Sequence, residues 1–473
     1  MPVPADFRAD EPAPSEPSGG SRPSSTLQDG EQSGSTPSGP APQASESPSS
    51  DLPPKTSPDP ATSLPADPDP GSTSPETPRP TSTAGSHNPT PSRPAPDVPE
   101  INLADPAVIT DPFTTYGRAR EQGPVARLSG PGFGPVWVLT RHAEARAMLT
   151  DPRFALGAGT FQPLDVPEHC RPYMRTMQEM EGEPHARLRR LTAPAFAARR
   201  ALAFRPRIDR VVARLLDALP AHEPVDLITA FAQPLPMEVI CELAGVPEAD
   251  RPSWHEYGSN VVRGSGEGFA TAVPGIIDGA RDLVAHPDSE LLRHLTEDAG
   301  LTGQETVALV WQLVLAGQTP ANFLANAVDA LITYPDQLDV LRAEPHQWPN
   351  AVDELMRWCG SQLLTIPRRA TQDVELYGVT VREGEQVTVS IAAANRDPRV
   401  FPEPDRLDVR RAAGGHLGFA YGPHFCLGAS FARVQIEVAL TALFDRFRTL
   451  RTLEARRAPD PGTWRLATLQ VSG

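Results

Sequence analysis

Phe419-Ala420-Tyr421-Gly422-Pro423-His424-Phe425-Cys426-Leu427-Gly428 sets one cysteine among glycines and aromatics. An unbroken amphipathic run, Ala429 to Phe447, follows directly. A helix that starts just after a cysteine aims free backbone N–H groups at the sulfur, and those donors favour thiolate over thiol. Gly422 and Gly428 permit positive φ and let a flat ligand approach the backbone closely. For an arbitrary cysteine, the plainest reading of such a stretch is a buried free thiol in a turn ahead of a helix.

A thiolate held in this way is also what haem iron takes as an axial ligand. The spacing of Phe419, Gly422, His424, Cys426 and Gly428 resembles the haem-binding loop of the cytochrome P450 family. Ala420 departs from it, standing where the family usually has glycine. The resemblance runs from roughly Ile101 to Gly473. It implies a mainly α fold with a small β-rich lobe, in one haem-enclosing domain over residues 100–473.

Composition divides the chain unevenly. Residues 1–99 hold 25 of the 56 prolines, much Ser, Thr, Gly and Asp, and one aromatic, Phe7. Too little apolar surface is available there to offset ordering entropy, so a disordered tail is expected. The tail lacks the apolar core of a signal peptide, and no later stretch reaches 18 unbroken apolar residues, so no membrane insertion and a cytoplasmic enzyme are expected. Cys170, Cys241, Cys359 and Cys426 are scattered without metal-site spacing, as in a reducing compartment. A net charge of −16 argues against nucleic acid as a partner. Lys55 is the only lysine, so nearly all cationic charge is arginine, the residue suited to carboxylates.

Taken in order, Pro112 to Gln122 reads as a helix stopped by Gly123-Pro124. Val125–Leu128 and Pro135–Thr140 read as strands around the turn Pro131-Gly132-Phe133-Gly134. A helix is expected near His142 to Leu149. Phe154 to Glu181 is irregular and reads as a substrate-facing lid. His185 and Arg189 share one face of the helix opened by Pro184. Further helices are expected at Ile208–Leu219, at Met237–Leu243 and between Trp254 and Ala285, the last interrupted by Gly264-Ser265-Gly266-Glu267-Gly268. Gln304 to Tyr334 is the longest apolar helical run and belongs in the core. Inside it Ala316-Gly317-Gln318-Thr319-Pro320 predicts a kink. Val374–Tyr377 and Val387–Ile391 read as strands.

The family likeness assigns roles to these residues. Cys426 would ligate the iron of haem b. His185, Arg189, Arg368 and His424 would meet its propionates, with Arg369 able to exchange roles with Arg368. Phe419 and Phe425 would pack beside the thiolate, while Gly422 and Gly428 shape the loop. Trp311, Gln312, Leu315 and Ser361–Ile366 would line the substrate side. Glu354, Arg357 and Arg406 would form a structural network. Ala316, Gly317 and Thr319 would face oxygen. The family carries an acid before its threonine here, and this stretch is one residue short. If the gap falls at the acid, Thr319 is the oxygen-side threonine. If it falls later, Thr319 replaces the acid and Pro320 the threonine.

The implied activity is monooxygenation of a small, fairly apolar substrate by molecular oxygen, in specialised metabolism. Electrons would come from a ferredoxin and its reductase, since no nucleotide-binding glycine fingerprint is present. Arg187, Arg190 and Arg433 are candidates for meeting an acidic partner. The missing acid keeps two other readings open: a non-catalytic homologue binding a partner or carrier protein, and haem chemistry driven by peroxide.

Overall fold

The computed structural model describes residues 98–473 apart from 131–132, 158–164, 222 and 264–266. The expected tail, save its last two residues, lies outside the described residues. So do the turn tip at 131–132, part of the expected lid and the three residues at 264–266.

The longer helices are α1 (Pro112–Gln122), α2 (His142–Thr150), α3 (Gly182–Thr192), α4 (Ala198–Asp217), α5 (Pro234–Ala244) and α6 (Arg251–Arg263). They continue with α7 (Glu267–Ala285), α8 (Gly303–Ala316), α9 (Pro320–Thr333), α10 (Pro335–Ala343), α11 (Trp348–Cys359) and α12 (Ala429–Arg446). Strands β1 (Glu100–Asn102), β2 (Val125–Gly130), β3 (Phe133–Leu139) and β4 (Phe154–Ala155) come early, and β5 (Val225–Asp226) follows α4. Strands β6 (Arg368–Ala370), β7 (Val374–Leu376), β8 (Val379–Val381) and β9 (Gln386–Val389) lie between α11 and α12, with β10 (Arg451–Arg457) and β11 (Leu466–Ser472) at the end. One sheet runs β1-β2-β3-β9-β6-β4, a second β10-β11-β5, and β7-β8 form a hairpin. The architecture is mainly α with a small β-rich lobe.

The run from Gly303 to Thr333 is long and apolar enough to cross a membrane, yet its buried side chains serve the interior of this domain. Phe323, Leu324, Val328 and Leu331 of α9 pack with α4, α11 and α12. Val307, Val310, Trp311 and Val314 of α8 pack with α5, α6 and α7. A Thr302–Glu305 capping box starts α8, with Thr302 Oγ1 accepting from Glu305 N at 3.2 Å and Glu305 Oε2 accepting from Thr302 N at 2.9 Å. The expected kink is a full break. Gly317 N still donates to Leu313 O at 2.8 Å, but Thr319 N reaches Ala316 O only at 3.4 Å. Pro320 then begins α9 without an N–H to give.

Glu354 and Arg357 of α11 form a fully buried pair, Nε to Oε2 2.7 Å. Arg357 also donates to the carbonyls of Asn395 and Pro404, at 2.9 and 2.8 Å. The third member is not Arg406, whose side chain is exposed and faces Glu403 at 3.6 Å. Arg411 takes the place, with Nε 3.1 Å from Glu354 Oε1. Arg406 offers only its backbone carbonyl to Arg357 and Arg411, so its side chain points away from the pair.

Candidate active site

Phe419 is buried in the core formed by α9, α11 and α12, and its carbonyl accepts from Cys426 N at 2.9 Å. That bond closes the cysteine loop. Inside the loop a single turn at Gly422–His424 is fixed by Phe425 N donating to Gly422 O at 3.0 Å. Gly422 has φ +78°, and a Cβ there would come within 3.0 Å of Leu149 O and 2.9 Å of Thr150 Cγ2. Gly428 differs from expectation: it sits at φ −84° as the residue before α12, and open space surrounds it. The second left-handed position is instead Ala420, at φ +59°.

Cys426 is exposed as a residue, while the protein around its sulfur removes enough water to push the thiol upward. The Gly428 N–H, Arg189 and Arg433 act in the opposite direction without overcoming it. The thiol is thus the resting form of this side chain.

Four elements bring a cluster of charge beside this loop. His185 of α3 is buried, and its ring lies 4.2 Å from that of His424 at an interplanar angle of 30°. Burial and the neighbouring His424 hold the His185 imidazole down at about 4, with Glu181 opposing. Arg368 of β6 is also buried and donates to Leu149 O at 2.9 Å. Its neighbour Arg369 turns outward to Gly384 O, so only Arg368 joins the cluster. Arg189 gives its guanidinium to the Phe425 carbonyl, which fastens α3 to the residue before the cysteine.

Glu181 is the residue that sequence reasoning missed. Its Oε1 accepts from Leu156 N at 2.8 Å and lies 3.1 Å from His424 Nε2. Burial acts to raise this carboxyl, but the His424 contact, the Leu156 N–H and Arg368 hold it below the usual range. Its one sequence cue is the four-residue spacing to His185. The His424 contact is close without being an aligned hydrogen bond, and among the described residues the buried His424 Nε2 has no aligned partner. Arg368, His185 and His424 therefore share a single carboxylate.

Along α8 and α9, Leu315 and Thr319 are open, and Thr319 Oγ1 donates to Ala316 O at 3.0 Å. Gln318 turns away, its Nε2 donating to Gly258 O of α6 at 3.1 Å and to Val314 O at 3.0 Å. Trp311, expected on the substrate side, is 1% exposed and packs with α6 and α7. Of Ser361–Ile366, Ser361 and Leu363 are buried and Ile366 is open. Arg433 is committed to Asp353 at 2.7 Å and Arg187 to Glu305 at 2.5 Å, which leaves Arg190 as the freest of the three docking candidates, 3.7 Å from exposed Glu183.

The family model described as Cytochrome P450 matches residues 281–470. The chain is 39% identical over 350 residues to the vitamin D(3) 25-hydroxylase of Pseudonocardia autotrophica, covering 71% of this chain and 86% of that protein. It is 38% identical over 356 residues to the mycinamicin IV hydroxylase/epoxidase of Micromonospora griseorubida, covering 71% and 88%. Among solved structures, P450BioI in complex with acyl carrier protein carrying hexadec-9Z-enoic acid superposes with a TM-score of 0.70 at 30% identity, covering 78% of this chain and all of that one. With the cysteine loop, the buried Glu354–Arg357 pair and the broken central helix in one fold, this chain belongs to the cytochrome P450 family.

Proposed function

We propose that this monooxygenase binds haem b with Cys426 as axial thiolate and oxidises a small, fairly apolar organic molecule by hydroxylation, epoxidation or oxidative coupling. The observation that carries the reading is the imbalance of the buried cluster, in which His185, His424 and Arg368 face one carboxylate and His424 Nε2 lacks an aligned partner. His424 Nε2 and the Arg368 guanidinium thus have donor capacity to spare, and the two propionates of haem would take it up by charge-assisted contacts, with His185 able to gain a proton beside them. The open sulfur of Cys426 fits iron equally, since replacing its proton by a cation relieves the cost that burial places on a bare thiolate. When bound, haem iron would supply the oxidation: in hydroxylation or epoxidation one oxygen atom of O2 enters the substrate and the other leaves as water with two electrons and two protons consumed, whereas in oxidative coupling the substrate gives up two hydrogens and both oxygen atoms leave as water.

The chain's own residues have narrower tasks. Phe419 and Phe425, with ring centroids 6.4 Å apart, restrict water around the sulfur. Gly422 lets the loop pack against Leu149 and Thr150, Gly428 leaves open space beside the loop, and Arg189 holds the Phe425 carbonyl in place. At the helix break, Ala316 and Gly317 present little bulk, and Thr319 holds its hydroxyl proton against Ala316 O. No carboxylate stands between Ala316 and Asn322. The open Thr319 hydroxyl at the break favours the register in which the gap removes the acid and Thr319 is the oxygen-side hydroxyl, with protons arriving by way of water or a substrate hydroxyl. Electrons come from a ferredoxin reduced by its reductase in the cytoplasm, with Arg190 on the docking side.

The test is an absorption spectrum of the reduced, carbon-monoxide-bound protein beside Cys426→Ala. A strongly red-shifted Soret band in the parent, lost in the variant, is expected. A folded parent protein that takes up no haem would overturn the proposal.

A further inference from the structure

Asp353 stands next to the buried Glu354 on α11, yet its carboxylate serves the start of the cysteine loop. One oxygen, Oδ1, accepts from Arg433 Nε of α12 at 2.7 Å and from His416 Nε2 at 3.3 Å. Burial acts to raise this carboxyl, but His416 and Arg433 outweigh it and keep it below the usual range. Each of the two contacts leads on toward Cys426 by its own route. His416 is buried, and its Nδ1 accepts from Gly418 N at 3.0 Å. A ring nitrogen that accepts carries no proton, so the imidazole proton sits on Nε2, where Asp353 receives it. Gly418 is seated on the same helix, for a Cβ there would come within 2.5 Å of Met356 Cγ. Phe419 follows, and its carbonyl accepts from Cys426 N at 2.9 Å. The second route runs through charge. The Arg433 guanidinium lies 4.5 Å from the centroid of the Phe419 ring, and it acts on the Cys426 thiol in the direction of thiolate. Arg433 is one-third exposed, so without Asp353 its long side chain is free to turn into water and its field at the sulfur weakens. Asp353 therefore both fixes this cation and cancels part of its field.

We propose that Asp353 is a positioning residue for the thiolate–iron centre, holding the start of the cysteine loop through His416 and Gly418 and setting how much of the Arg433 charge reaches the sulfur. The proposal rests on the haem-thiolate reading above and adds to that site a residue that tunes its reduction potential. The two tasks separate chemically. Any oxygen acceptor at position 353 can receive both hydrogen bonds, whereas only a carboxylate supplies negative charge. Asp353→Asn thus keeps the first task and removes the second, while Asp353→Ala removes both.

Two measurements on the full chain test this. The first is hydrogen–deuterium exchange of the haem-free protein, followed over the segment from His416 to Cys426. Asp353→Ala and His416→Ala are expected to speed exchange there at least about fivefold, with Asp353→Asn within about twofold of the parent. The second is a redox titration of the haem-loaded protein at pH 7.5. Asp353→Asn should raise the reduction potential and Arg433→Gln should lower it. Each shift is expected to change the one-electron equilibrium about five- to tenfold, or about 40–60 mV. A purely structural residue would not produce shifts of opposite sign while Asp353→Asn keeps its slow exchange. Unchanged exchange in Asp353→Ala would overturn the proposal, as would potentials of the Asn and Gln variants that move together or stay at the parent value. Exchange is read without haem, and the carbon-monoxide spectrum of the loaded parent reports on the haem reading by itself, so the two failures are distinguishable.

Discussion

Ala420 holds φ +59° in the loop that carries Cys426, a conformation that costs an L side chain roughly 1–2 kcal/mol. Ala420→Gly removes the strain but adds freedom to the unfolded chain, so a net gain of about 0.5–1 kcal/mol is expected in chemical denaturation of the haem-free protein. The cysteine loop was readable because its features are contiguous: cysteine, glycine and helix start sit within ten residues. Ala420 was readable as a departure, though not as a strained one. Glu181 was hidden because its meaning comes from Leu156, His424 and Arg368, three residues that only the fold gathers. Gly428 misled because a glycine beside a helix start suits an ordinary cap as well as a left-handed turn.

At the scale of elements, the helix break and the Glu354 network give two further expectations. A Cβ on Gly317 would lie 2.3 Å from Leu313 O of α8 and 2.9 Å from Ile240 Cδ1 of α5, so the backbone of α8 itself leaves no place for a side chain at that point. Gly317→Ala is expected to destabilise by about 1–3 kcal/mol and to lower the melting temperature. Glu354 has no exposure and receives both Arg357 and Arg411. Arg411→Ala should therefore cost about 3 kcal/mol, whereas Arg406→Ala, on the surface, should change stability by less than about 0.5 kcal/mol. Equal losses from the two variants, measured by denaturation, would refute the assignment of Arg411. Sequence spacing picked out the pair on α11 but not its partner, since Arg406 and Arg411 lie in irregular chain without a period to orient them. Trp311 was misplaced for a related reason: a helix apolar nearly all round does not announce which face is core. The three-residue strand β1 was invisible, being defined by its pairing with β2 alone.

Across the whole molecule, the His185 cluster joins α3, the cysteine loop, β6 and the chain around Leu156. Its titration therefore registers folding. His185 falls from an ordinary value near 6.5 to about 4 in the folded chain, so the unfolded chain binds the extra proton between those values. Stability from this group is complete above about pH 6.5 and declines as pH falls toward 4, by up to about 3 kcal/mol. Urea denaturation of haem-free protein between pH 4.5 and 7.5 measures it, and His185→Gln should flatten the profile. The propionate contacts proposed for His185 would favour its protonated imidazole, so haem loading should flatten the profile as well.

The amide of Gln318 holds Gly258 of α6 while standing in the gap between α8 and α9. A Cβ on Gly258 would press on Met237 Cε at 2.2 Å and on the Gln318 amide at 3.1 Å. α6 is thus latched to the break rather than merely resting on it. Any swing of α6 away from the centre must first release that amide, and so the roof and the hinge of the central helix open as one mechanical part.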